Sequence, residues 1–159
     1  MIRYSLIACS LATAFLSGCG ATPGPTETAT PAHRLDTIGI SAGDVGDATT
    51  TAAGLWSDVA HEANPALAPF GDAVPLVLIP VKLGTKHALT KIGKRPAEAN
   101  LAVNAGGIFA TCSNIATLAS MAAPPAIALG AFCGVVYYDI ARDDYREKTG
   151  INPNGTPVR

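Results

Sequence analysis

The sequence predicts an all-α protein, a small helical domain built around an apolar antiparallel helical hairpin and carried on a flexible N-terminal tether. Three observations predict it. No Asp, Glu, Lys or Arg occurs between Glu98 and Asp139, and two apolar runs fill that interval, residues 101–121 and 126 to about 140, on either side of Ala122-Ala123-Pro124-Pro125. A continuous helix does not accept that break, so the chain folds back there. Upstream, apolar residues recur at three- and four-residue spacing from Asp47 onward, whereas residues 20–34 are rich in Pro and Thr with no apolar period. The implied organisation is a leader over 1–18, a tether over 19–40, a helical domain over 41–150 and an irregular tail over 151–159.

The chain begins Met1-Ile2-Arg3 and then has no charged residue from Tyr4 to Leu16, the composition of an exported leader. That run is shorter than the ~20 apolar residues a spanning helix needs, which favours cleavage over a permanent anchor. The leader closes on Leu16-Ser17-Gly18-Cys19. This quartet resembles the lipobox of bacterial lipoproteins, an aliphatic residue and two small ones before a cysteine. The resemblance covers the leader alone. It implies a diacylglycerol on the Cys19 thiol, cleavage between Gly18 and Cys19, and a mature protein held to the membrane by lipid, a stable anchor once a second acyl chain such as palmitate is added. Gly20 rather than Asp follows the cysteine, which in a Gram-negative envelope implies the outer membrane, facing the periplasm. In a Gram-positive host the same signal implies the outer face of the single membrane.

From the tether onward each segment has its own pattern. Residues 20–34 read as a solvated spacer of up to ~3 Å per residue. Ala52, Leu55, Trp56, Val59, Ala60 and Ala63 then form one stripe, with Asp58, His61 and Glu62 opposite. This is the pattern of an amphipathic helix that Asp47 or a neighbouring threonine caps and Asn64-Pro65 ends, with Trp56 as a core anchor. Pro69, Pro75 and Pro80 interrupt the apolar residues 66–81, so an extended or kinked segment is expected there, followed by a short helix from about Val81 to Ile92. Lys82, Lys86, Lys91, Lys94 and Arg95 make this region basic, whereas residues 21–72 carry seven acids against Arg34 alone. The two segments are complementary in charge and suited to face each other. The same five cations are also candidates for contact with anionic headgroups, at ~1 kcal/mol per surface cation.

Within the hairpin, small residues recur where arms meet: Gly106 and Ala110, Ala116 and Ser120, and the GxxxG of Gly130 and Gly134. Such pairs permit close helix approach in water or in lipid. Asn100, Asn104 and Asn114 and the shortness of the second arm favour a buried hairpin at the centre of a soluble domain, with membrane embedding as the alternative. Beyond it, residues 137–149 continue as a charged helix in which acids and bases balance, Asp144 and Lys148 forming an i, i+4 pair, and Gly150 supplies the cap.

Of four cysteines, Cys9 leaves with the leader and Cys19 takes the lipid. An oxidising compartment therefore receives Cys112 and Cys133 as a pair, at similar heights on facing arms, suited to a disulfide. No metal site is expected, because His33, His61 and His87 stand singly, away from the cysteines. Nor are cofactors expected. The sequence contains no nucleophile elbow, phosphate-binding loop or Cys-x-x-Cys, so a non-enzymatic role is expected. A net charge of -1 gives no support for nucleic-acid binding. The leading expectation is an envelope lipoprotein acting through protein contacts as a structural or accessory component, with an envelope protein or a second copy as partner. A membrane-active hairpin of the exclusion, immunity or lysis type is the rival, and a hydrolase ranks third.

Overall fold

A computed structural model describes residues 35–57 and 66–158. The lipobox, Cys19, the Pro/Thr-rich spacer and residues 58–65, including His61, lie outside them. The described residues form four α-helices, α1 (Ala42–Trp56), α2 (Val74–Lys91), α3 (Pro96–Leu118) and α4 (Ala123–Thr149), with a short 3-10 segment, Ala68–Ala73, before α2. The predicted all-α class and the antiparallel hairpin, here α3 and α4, are what the chain adopts.

The first helix starts earlier than its apolar stripe suggests. Ser41 is the N-cap, and Asp44 reaches back to accept from the Ser41 amide at 2.8 Å and from its hydroxyl at 2.7 Å. A carboxylate three residues past the cap satisfies an orphan amide and also suits the positive end of the helix dipole. Asp47, expected as the cap, therefore lies inside the helix.

The second helix overturns the expectation of an extended stretch and a short helix. Pro75 falls in the first turn of α2, where the missing amide would have had no partner, and Pro80 is accommodated inside. Pro80 costs one backbone hydrogen bond. Its neighbours offset this by packing: Val74 and Leu78 close on Ala48 of α1, with Leu55, Leu67 and Ile79 around them.

The hairpin turn occupies residues 119–122, with Ser120 at φ 66° and the Met121 amide bonded to the Ala116 carbonyl at 3.0 Å. Pro124 and Pro125 do not fill the turn as expected but open α4, in the turn of a helix that tolerates proline. At the far end Gly150 adopts φ 71° and donates to the Arg146 carbonyl at 2.9 Å, the expected glycine cap. The tail beyond it turns back through a single bridge between Ile151 and Pro157.

Among the described residues α3 is the central helix. It packs on α1, α2 and α4, whereas α4 packs on α3 alone. Cys112 and Cys133 lie at disulfide distance across the two arms, with Cα atoms 6.6 Å apart, as their matched heights predict. Closing a loop across a sequence separation of 21 is worth about 3 kcal/mol. The double substitution Cys112→Ser/Cys133→Ser is expected to lower thermal stability accordingly, and the unreduced protein is expected to show no alkylatable thiol at either position. Thiols that alkylate freely without reductant would disprove the bridge.

Candidate functional site

The most informative feature of the bundle is where its polar and apolar side chains lie. Asp44 and Lys86 have no solvent exposure, and their carboxylate and ammonium meet at 2.5 Å. Lys86 also donates to the Gly39 carbonyl at 2.8 Å and the Ser41 hydroxyl at 3.3 Å. Four residues away on α2, Lys82 meets Asp47 at 2.6 Å, again with little exposure on either side. The pairs arise because α1 and α2 run antiparallel: a spacing of three on α1 and four on α2 keeps each pair of like residues on one face. Asp44 Oδ1 is the one buried side-chain oxygen or nitrogen among the described residues with no hydrogen-bond partner.

The polar seam continues onto α3. Asn104 accepts from the Gly43 amide at 2.7 Å and donates to the Tyr137 hydroxyl of α4. Asn114 donates to the hydroxyls of Thr50 and Thr51, each at 3.1 Å, and Asn100 holds the Leu35 and Thr37 carbonyls at 2.8 and 2.9 Å. The three asparagines that argued for a soluble domain thus all point inward, toward partners within the chain. Gly43 and Gly107 bring α1 and α3 together so closely that a Cβ at Gly107 would sit 2.9 Å from the Gly43 Cα. On the other side of α3, Gly130 and Gly134 meet Phe109, with a Cβ at Gly130 falling 2.6 Å from the Phe109 carbonyl oxygen. The GxxxG is therefore a helix-packing surface within the hairpin. Gly106 contributes nothing to it, since nothing lies within 4 Å of its Cβ position.

Large apolar residues point the other way. On α4, Ile127, Phe132, Val135 and Ile140 are exposed, Phe132 at 67 % and Ile140 at 66 %. Leu76 on α2 is 71 % exposed. Trp56, expected as a core anchor, is 62 % exposed and donates its indole N–H to the Asp72 carbonyl at 3.0 Å. The buried face of α1 is Gly43, Asp44, Gly46, Asp47, Ala48, Thr50 and Gly54, which leaves the indole no place inward. α3 and α4 are long and apolar enough to cross a membrane, and most of that apolar length is not covered by the rest of the protein. The expectation of a hairpin buried in a soluble core does not hold for α4.

The expected basic face loses two of its five cations, while Lys91, Lys94 and Arg95 keep exposure. Lys82 and Lys86 turn inward to Asp47 and Asp44, Lys94 pairs with Glu98 at 2.6 Å, and Arg95 approaches Asp36 at 3.8 Å. Lys91, in the last turn of α2, stays exposed. At the start of the charged segment of α4, Arg142 and Arg146 both bond Asp143 at 3.1 Å, and Lys148 meets Asp144 at 2.5 Å, as the balanced sequence implies. Paired surface ions of this kind contribute little to stability and leave little net field.

No protein-family model, no curated protein and no solved structure matches this chain. Among the described residues no group of three or more His, Cys, Asp or Glu side chains could hold a metal ion. Asp44, Gly43, Gly46 and Gly107 carry no role in the sequence pattern above, and Asp47 carries only that of a cap. Their signal was available: Gly43 and Gly46, and Asp44 and Asp47, each recur at three-residue spacing on α1, and Lys82 and Lys86 of α2 at four.

Proposed function

We propose that this chain is a lipid-anchored protein of the bacterial envelope whose helical hairpin is embedded in the bilayer, a membrane-active component without enzymatic chemistry. The observation that carries this reading is the inverted distribution of side chains on α4 and at its interface with α3. Small and polar residues fill the helix interfaces, while Ile127, Phe132 and Val135 face outward on a stretch with no charge. In water such a surface exposes a contiguous apolar face that monomeric soluble proteins rarely show. In lipid it is the ordinary arrangement, because helices there associate through close packing of small residues and internal hydrogen bonds. The lipid on Cys19 brings the hairpin to the bilayer, and Gly20 assigns it to the outer membrane of a Gram-negative host.

Extraction tests the reading directly. A Cys19→Ala variant, exported behind a conventional signal peptide, is expected to stay in the membrane pellet after carbonate treatment. A freely soluble product would overturn the embedded hairpin and return the protein to the role of a soluble domain acting through protein contacts.

A further inference from the structure

The uncharged surface is not confined to the hairpin. Contacts along the bundle set the helix directions: Gly43 lies against Asn104 and Gly107, Gly46 against Thr111, and Asn114 against Thr50, so α1 and α3 run the same way. Lys86 against Asp44, Lys82 against Asp47 and Trp56 against Asp72 make α2 antiparallel to α1. The start of α2 and the end of α1 therefore sit at the hairpin-turn end. His87, Lys91, Lys94, Glu98, Asp139 and Arg142 gather at the other end.

Between these ends every ionisable side chain of α1 and α2 is turned inward and paired. What α1 shows outward is Ala42, Val45 and Thr49, and what α2 shows between Asp72 and His87 is Leu76, Pro80, Val81, Gly84 and Thr85. We infer that the lipid-facing belt encircles all four helices, so that α1 and α2 enter the bilayer together with the hairpin and carry the Asp44–Lys86 and Asp47–Lys82 pairs inside it. This rests on the embedded hairpin proposed above and extends it to helices whose composition alone does not mark them as membrane-crossing.

The dimensions fit. At 1.5 Å per residue the stretch without an outward-facing charge is about 30 Å on α3, about 24 Å on α4 and about 20 Å on α2, where Lys82 and Lys86 turn inward, against a hydrocarbon core of ~30 Å. Ionisable residues inside a membrane bundle face its interior and pair with one another, as these four do. Trp56, exposed at one rim of the belt beside the Asp72 backbone, occupies the position that interfacial tryptophans favour.

The test uses the acylated full-length protein in vesicles of phosphatidylethanolamine and phosphatidylglycerol. With Cys19 acylated and Cys112 bridged to Cys133, the variants Val45→Cys, Leu76→Cys and Phe132→Cys each carry one free thiol for a bimane fluorophore. All three labels are expected to be quenched several-fold more by nitroxide lipids than by aqueous iodide, with a label on His87→Cys showing the reverse. Iodide quenching at positions 45 and 76 with lipid quenching at 132 would overturn the four-helix belt and leave the embedded hairpin standing. Iodide quenching at all three would overturn both. Thr49→Cys and Thr85→Cys, also exposed, give the same reading if either helix variant fails to fold.

Discussion

Lys86→Ala is expected to be the most damaging side-chain truncation in the protein, lowering stability by about 3–5 kcal/mol in thermal or denaturant unfolding followed by circular dichroism. The reason is not the strength of the ion pair itself. Removing Lys86 strands the Asp44 carboxylate, which has no exposure and already has one oxygen without a partner, inside the bundle. It also releases the Gly39 carbonyl and so loosens the segment leading into α1. The double variant Asp44→Leu/Lys86→Met is expected to recover most of the loss, because replacing both buried charges with apolar groups of similar size is often neutral or better. A double variant no more stable than Lys86→Ala would mean that the network with Ser41 and Gly39, rather than stranded charge, sets the cost.

Gly107→Val is expected to have a comparable effect, about 3 kcal/mol or more, while Gly106→Ala leaves stability unchanged or raises it by up to ~1 kcal/mol. The two glycines are adjacent in sequence and opposite in surroundings. A side chain at Gly107 meets the backbone of Gly43 on α1, which has no rotamer with which to yield, whereas one at Gly106 meets open space. The loss at Gly107 is expected to appear as separation of α1 from the hairpin. Equal effects at the two positions would show that α1 does not pack there.

Helices α3 and α4 were legible because their signals are local. An uncharged interval, a double proline and a following charged segment each act within a few residues, so the hairpin, the turn region and the Gly150 cap follow from them. Matching Cys112 with Cys133 needed only the fold-back and the count of cysteines. The start of α2 was not legible, since proline at 75 and 80 argues against a helix locally, and only the contacts of Val74 and Leu78 with Ala48 outweigh it. Trp56 was misplaced for a related reason. Its spacing with Leu55 and Ala52 is genuine, but the face that α1 buries is chosen by Gly43, Gly46, Asp44 and Asp47, whose partners lie tens of residues away.

The same division runs through the candidate site. Sequence alone settled the helical class, the hairpin and the cysteine pairing, because backbone hydrogen bonding and apolar periodicity are properties of neighbouring residues. Which way each face points was decided by tertiary packing. Charge left Lys82 and Lys86 two roles, facing the acidic segment or meeting headgroups, and an antiparallel α1 with two acids at matching heights selects the first; the asparagines of α3 read as barriers to membrane insertion until each finds a partner inside. A polar side chain is hydrophilic toward any group that satisfies it, and which group that is depends on the whole chain. The apolar side chains of α4 thus became outer surface, and the charged side chains of α1 and α2 became interior.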